Sequence, residues 1–162
     1  MFGIINIYSK SENEIARKLS NFYPHVFSFD GIDCDSYEAF LQSLKFPLPD
    51  EQLEIIHLDA KTAKEMGQTR SWQETGWLYW KGEPINRYSK AYRQLLECAY
   101  DALCKNKNFS SALLHGRGHL LIHSVGKLRK KETVLTSLEF CSILMQKRRK
   151  LLRDQRNKGR GP

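Results

Sequence analysis

Hydrophobic and polar positions follow two periods along this 162-residue chain, and the helical one dominates. From Ser89 to Lys105 the apolar positions Tyr92, Leu95, Leu96, Ala99 and Leu103 return every three or four residues, which predicts one amphipathic helix. A second is predicted from about Ser137 to Leu152, with Leu138, Cys141, Leu144, Met145 and Arg148 on one side. Thr136 and Glu139 form a T-x-x-E capping box at its start. Ser11 and Glu14 offer the same device, as S-x-x-E, ahead of a short helix over IARKL. Ser36 caps a helix from about Tyr37 to Phe46, stopped by Pro47 and Pro49. Residues 50–67 hold one or two further short helices, the last ending at Gly67.

Strand signals are sparser. HVFSFDGIDCD carries Val26, Phe27 and Phe29 up to an Asp30-Gly31 step, whose tolerance of positive φ makes a tight hairpin turn. His119 to Ser124 reads as a short strand. The stretch from Gln68 to Arg87 reads as irregular. It gathers Trp72, Trp77 and Trp80 with Gly76, Gly82 and Pro84, so it either folds over the core or builds a binding site. No repeat or low-complexity linker divides the chain. The expectation is an α+β protein, a single compact domain, mainly helical with a few short strands, over residues 1–150, followed by a basic tail over 151–162.

Composition narrows the class. Apolar residues at 41% and charged residues at 27% are ordinary for a globular domain. The apolar runs are too short for a membrane-spanning helix, and MFGIINIYSKSENE lacks the basic opening of a signal peptide, so a cytoplasmic protein away from membranes is expected. Cys34, Cys98, Cys104 and Cys141 form no C-x-x-C pair, and with the histidines they give no zinc spacing. They read as reduced thiols packed as small hydrophobes, and neither metal nor cofactor is expected. The net charge of +8 is concentrated between Lys127 and Lys131 and in KRRKLLRDQRNKGRGP. Such a tail suits nucleic-acid phosphates, and equally the carbonyl end of a helix.

Candidate chemistry lies in the segment Ser36–Phe46. On a helix Glu38, Gln42 and Lys45 stand at i, i+4 and i+7 and share a face. A carboxylate there can move protons, an amide can fix a sugar hydroxyl, and an amine can bind phosphate or, once burial lowers its pKa, attack a carbon. Polar rows of this kind are usually solvent faces, so the spacing alone does not establish catalysis.

The surrounding motifs add specificity. Leu19-Ser-Asn-Phe-Tyr-Pro24, then Phe29-Asp-Gly31, then Ser36-x-Glu38-x-x-x-Gln42-x-x-Lys45-Phe46 resemble the opening signature of the NADAR/YbiA-like family. Ala63-Lys-Glu-Met-Gly67, Trp80-Lys-Gly-Glu-Pro-Ile-Asn-Arg87, His123-Ser-Val-Gly126 and Thr133-Val-Leu-Thr136-x-x-Glu139-Phe140 resemble later parts of a branch of it. The resemblance implies a mainly helical α+β fold and action on N-glycosidic bonds of ribose. The expected substrate is an ADP-ribose-containing or ribosyl nucleotide, and the leading reading is removal of ADP-ribose from a modified guanine base. Hydrolysis of ribosylamino-pyrimidine intermediates, or ADP-ribose or NAD binding without cleavage, are the alternatives. It further implies Glu38 and Lys45 as the catalytic pair, acting through a Schiff base on Lys45 or through water activated by Glu38. Ala39 departs from the pattern, since many relatives carry histidine there. His-Ser-Val-Gly and Thr-Val-Leu-Thr stand where others have Trp-Gly and G-x-N.

Further candidates for substrate contact are Asn21, Phe22, Gln42, Trp80, Arg87, His123 and Gly126. Trp80 is favoured for stacking on a base, with Trp72 and Trp77 as packing residues. His115-Gly-Arg-Gly118 lacks the lysine and spacing of a phosphate loop and reads as a turn.

Overall fold

A computed structural model of the chain, describing residues 3–159, sets seven α-helices around three separate two-stranded sheets. In chain order these are β1 (Gly3–Asn6), α1 (Glu14–Leu19), β2 (Phe27–Phe29), β3 (Ile32–Cys34), α2 (Tyr37–Ser43), α3 (Pro49–Ile56), α4 (Ala60–Gly67), β4 (Trp77–Trp80), β5 (Glu83–Asn86), α5 (Lys90–Leu103), α6 (Lys107–His115), β6 (His119–Ile122) and α7 (Ser137–Lys158). β1 runs parallel to β6, with Gly3 opposite His119. β2–β3 and β4–β5 are antiparallel hairpins. The α+β, mainly helical expectation holds.

All seven residues of α2 are buried, so this helix is the centre of the fold. Tyr37 stacks on Tyr100 of α5 at 3.7 Å, and its hydroxyl donates to the Leu96 carbonyl. Phe40 meets Phe27, Phe29 and Trp80. Burying side chains of this size stabilises by about 1.5–3 kcal/mol each.

Ser36 caps α2 as expected, its hydroxyl accepting from Ala39 N–H. The helix ends at Ser43 rather than Phe46. Pro47 disfavours helical geometry at the preceding residue. The freed carbonyls have other partners: Ser43 accepts from Gln52 Nε2 and Leu44 from Tyr79 N–H. Gln52 also donates to the Tyr79 carbonyl and accepts from Lys81 N–H, so one amide ties the end of α2 to the β4–β5 hairpin. Lys45 therefore sits on a tight turn just past the helix, its N–H donating to Gln42 O.

Several local expectations are corrected. The cap of α1 is Asn13, whose side chain accepts from Ala16 N–H, while Ser11 caps no helix. The stretch 68–87 is not irregular throughout, because it contains β4–β5, turned at Lys81 and Gly82 with φ of 52° and 83°. Helix α6, capped by Asn106, and strand β1 were not foreseen. The described part of the basic tail is helical. α7 continues unbroken to Lys158, and residues 160–162 of the tail lie outside the described residues. Among the described residues no helix is long and apolar enough to cross a membrane. All four cysteines are free thiols, and burial pushes Cys34 and Cys104 up to about 12 and Cys141 to about 11.

Candidate active site

The polar row of α2 is not a solvent face. Glu38 is 7% exposed and Gln42 4%, and both open with Lys45 onto a cleft of about 510 Å³. One wall is Lys64 and Gly67 of α4 with Arg70 and Trp72 beyond it. Residues 125–127 and 132–135 form another wall, and Asn21 and Phe22 also line the cleft.

Gln42 Nε2 donates to Glu38 Oε1 at 2.7 Å. Gln42 Oε1 is buried without a partner and lies against Gly67, where an added Cβ would fall 1.8 Å from it. Glycine at 67 is thus required by the amide it packs on, besides ending α4. Burial holds the Glu38 carboxyl above its ordinary value, although the Gln42 hydrogen bond and the charges of Lys64 and Lys45 oppose the shift. Burial also brings Lys45 down to about 8, against the pull of Glu38 and with help from Lys64. A carboxylic acid and an amine thus share one cleft with their proton affinities moved toward each other, the usual signature of acid–base or nucleophilic work.

The remaining predicted residues divide. Asn21 lines the cleft and is oriented from behind. Tyr100 Oη donates to its Oδ1 at 2.9 Å, which leaves its amino group to face outward, and its own carbonyl accepts from Glu38 N–H. Phe22 lines the cleft with Lys64 Nζ 5.2 Å from its ring centre. His123 Nδ1 is 2.7 Å from the Ile7 carbonyl and must carry the proton there, which leaves Nε2 as the acceptor in the neutral ring. Gly126 packs on that ring so closely that a Cβ would come within 2.5 Å of His123 Cδ2 and 2.1 Å of Ser137 Oγ.

Trp80 and Arg87 lie outside the cleft. Trp80 donates to Asp30 Oδ2 and stacks on Phe29, joining the turn ends of the two hairpins. Arg87 is buried. It holds Glu139 through two hydrogen bonds of 2.6 and 3.1 Å, donates from Nε to the Thr133 carbonyl, and lies over the Tyr92 ring. Burial pushes Glu139 up, but the bonds from Arg87 and from Thr136 N–H outweigh it and keep the carboxyl below its ordinary value. Glu139 therefore closes the capping box of α7 and anchors the 133–135 wall through Arg87. Trp72, expected to be packing alone, is the tryptophan that reaches the cleft.

The cationic rim of Lys64, Arg70 and Lys127 escaped the sequence reading. Arg70 ion-pairs with Glu51 and covers Phe46. Lysines on α4 look like solvated helix charges until the fold turns them toward α2. Among the described residues no group of three or more histidine, cysteine or acidic side chains is placed to hold a metal.

Fold and cleft together define a YbiA-like α+β domain with one acid–amine site. The solved NMR structure of the Escherichia coli protein YbiA superposes with a TM-score of 0.68, covering 96% of this chain and 89% of that one at 20% identity, which establishes the fold. The chain belongs to the family described as bacteriophage protein GP30.3, whose sequence model matches residues 13–149. It is similar to the "Uncharacterized 17.1 kDa protein in Gp30-rIII intergenic region" of Enterobacteria phage T4, 38% identical over 139 residues, a match covering 84% of this chain and 88% of that protein.

Proposed function

We propose that the protein is a hydrolase that cleaves an N-glycosidic bond to ribose, with an ADP-ribosyl group on a guanine base as the preferred substrate. The observation that carries this reading is the buried Glu38 in one cleft with a lysine brought down to about 8. Lys64, Arg70 and Lys127 around that cleft suit a pyrophosphate, and a volume of about 510 Å³ suits a nucleotide-sized ligand. Asn21 offers an amide to a ribose hydroxyl while Gln42 holds Glu38, and Trp72 and Phe22 offer apolar surface to a ring.

Glu38, kept protonated more readily than an ordinary glutamate, donates its proton to the departing base as the C1–N bond breaks. In one route the neutral Lys45 amine, about a tenth of molecules at pH 7, bonds to the C1 cation, and its proton passes to the ring oxygen as the C1–O bond opens, leaving a protonated imine on Lys45. Water then adds to C1 and gives a proton back to Glu38; the C1–N bond breaks as the new hydroxyl returns its proton to Lys45, and the freed aldehyde closes on its ring hydroxyl to give a sugar with a C1 hydroxyl. In the other, the ionised Glu38 draws a proton from water attacking C1 while the Lys45 ammonium balances the carboxylate.

Mass spectrometry of products from an ADP-ribosylated guanosine oligonucleotide, NAD and a ribosylamino-pyrimidine phosphate tests the reading. Wild type should release ADP-ribose from the first, and Lys45→Ala should not. Release from the pyrimidine alone would move the substrate class. Tight binding of ADP-ribose with no cleavage of any of them would make the protein a binding module.

A further inference from the structure

The most exposed large apolar side chains among the described residues are Leu128 at 78% and Leu138 at 76%, and Val125 is 62% exposed. A lone exposed leucine is ordinary, but these three flank a single junction. Ser137 N–H donates to the Lys127 carbonyl at 2.9 Å, Ser137 Oγ donates to the His123 carbonyl, and Gly126 is pressed on Ser137. Each apolar residue is next in the chain to a member of that junction. The display is rigid, because Arg129 grips Glu132 through two bonds of 2.8 and 3.0 Å and Arg87 holds Thr133. That grip pairs the exposed Arg129 with an acid, whereas Lys127, Lys130 and Lys131 are exposed with no acidic side chain bonded to them among the described residues. Lys127 belongs at once to this patch and to the cleft wall.

We propose that residues 125–138 form the surface on which a polynucleotide strand docks, its bases against Val125, Leu128 and Leu138 and its phosphates on Lys127, Lys130 and Lys131. Apolar side chains among lysines match a strand with bases turned outward, since every base has an apolar face and every linkage a negative charge. The neighbouring cleft then receives the sugar of one modified nucleotide, a step that rests on the glycosidase reading above. The basic stripe of α7 is placed otherwise. Phe140 faces the cleft, whereas Ser142, Gln146, Arg149 and Arg153 line a groove against Arg93 and Glu97 of α5. At about 100° per residue Arg149 and Arg153 lie roughly 180–220° around the helix from Phe140, and Lys147 and Lys150 of the same groove are engaged by Asp101 of α5. The stripe therefore points away from the cleft.

Anisotropy of a labelled single-stranded DNA oligonucleotide, titrated at several salt concentrations, tests the surface without requiring turnover. Lys130→Ala/Lys131→Ala should weaken binding severalfold and lower the salt slope by about 0.7 per lysine. Leu128→Ser should weaken binding at an unchanged slope, and Arg149→Ala/Arg153→Ala should leave it in place. If the α7 pair loses binding and the loop variants keep it, or if the protein binds phosphatidylserine vesicles and no oligonucleotide, the assignment fails. Loop-dependent binding by a protein that hydrolyses nothing would sink the glycosidase reading alone. Hydrolysis of an ADP-ribosylated oligonucleotide and of its free mononucleotide, slowed equally or not at all by Leu128→Ser, would sink the docking surface alone.

Discussion

Gly67 of α4 lies directly on the side-chain amide of Gln42 in α2, leaving no room for a methyl group between them. The same amide holds Glu38, so a residue with no side chain governs the carboxylate two steps away. Gly67→Ala should cost about 1–3 kcal/mol of stability through overpacking and should lower turnover sharply by pushing Gln42 off Glu38. Urea unfolding and turnover of the one purified variant measure both. Unchanged turnover in a destabilised protein would remove Gln42 from the mechanism.

Lys45 separates the two chemical routes by pH. If its neutral amine is the nucleophile, kcat/KM rises with pH through about 8 as the ammonium loses its proton. If the ammonium is the stabilising charge, kcat/KM falls over that range. Borohydride reduction during turnover should add a sugar-derived mass to wild type and none to Lys45→Ala on the first route only.

The same lysine leaves a mark on folding. Its folded value is lowered from 10.5 to about 8, so between those pH values the unfolded chain holds a proton that the folded chain has released. Stability from this group therefore rises with pH through that window. Lys45→Met should flatten the rise, seen as a smaller difference between urea midpoints at pH 8 and pH 10 than in wild type. An identical difference would mean that Lys45 is solvated.

Arg87 and Glu139 are predicted to act on the architecture. Arg87→Met leaves Glu139 buried without its cation, which should cost about 3–5 kcal/mol and loosen the 133–135 wall. Arg87→Met/Glu139→Gln should recover part of that loss in thermal unfolding. If the single variant unfolds like wild type, the pair does not hold the wall.

Trp72 and Trp80 should part company. Trp72→Ala should raise KM for a nucleotide substrate, because its ring lines the cleft. Trp80→Phe should lower the melting temperature with KM unchanged, since it removes the bond to Asp30 and part of a ring packed on Phe29 and Phe40, none of which lines the cleft.

What the sequence made legible was local. Asp30-Gly31 announced its hairpin because its backbone need, φ of 50° and 79°, is written in the residue types. Lys81-Gly82 makes the same kind of turn with a lysine where asparagine or aspartate is the usual sign, and the apolar run WLYW hides the alternation of a strand. β1 was illegible because its ladder partner among the described residues is β6, more than a hundred positions on. Glu38 and Gln42 came together because a helix sets their spacing, and the tight turn after Ser43 keeps Lys45 beside them. Arg87 was assigned to substrate for want of its partner, Glu139, which lies 52 residues on. Lys64 and Trp72 join the site only through the packing of α4 and the following turn on α2.

Among the described residues the three sheets share no strand, and none has more than two. No hydrogen-bonded ladder joins them there, so each hairpin is fastened by side chains such as Gln52 and Trp80 rather than by neighbouring strands. A relative can therefore lengthen, shorten or replace one hairpin or one cleft wall without shifting the register of any other. Evolution can exchange what surrounds the acid and the amine piece by piece while α2 and the turn after it keep both in place.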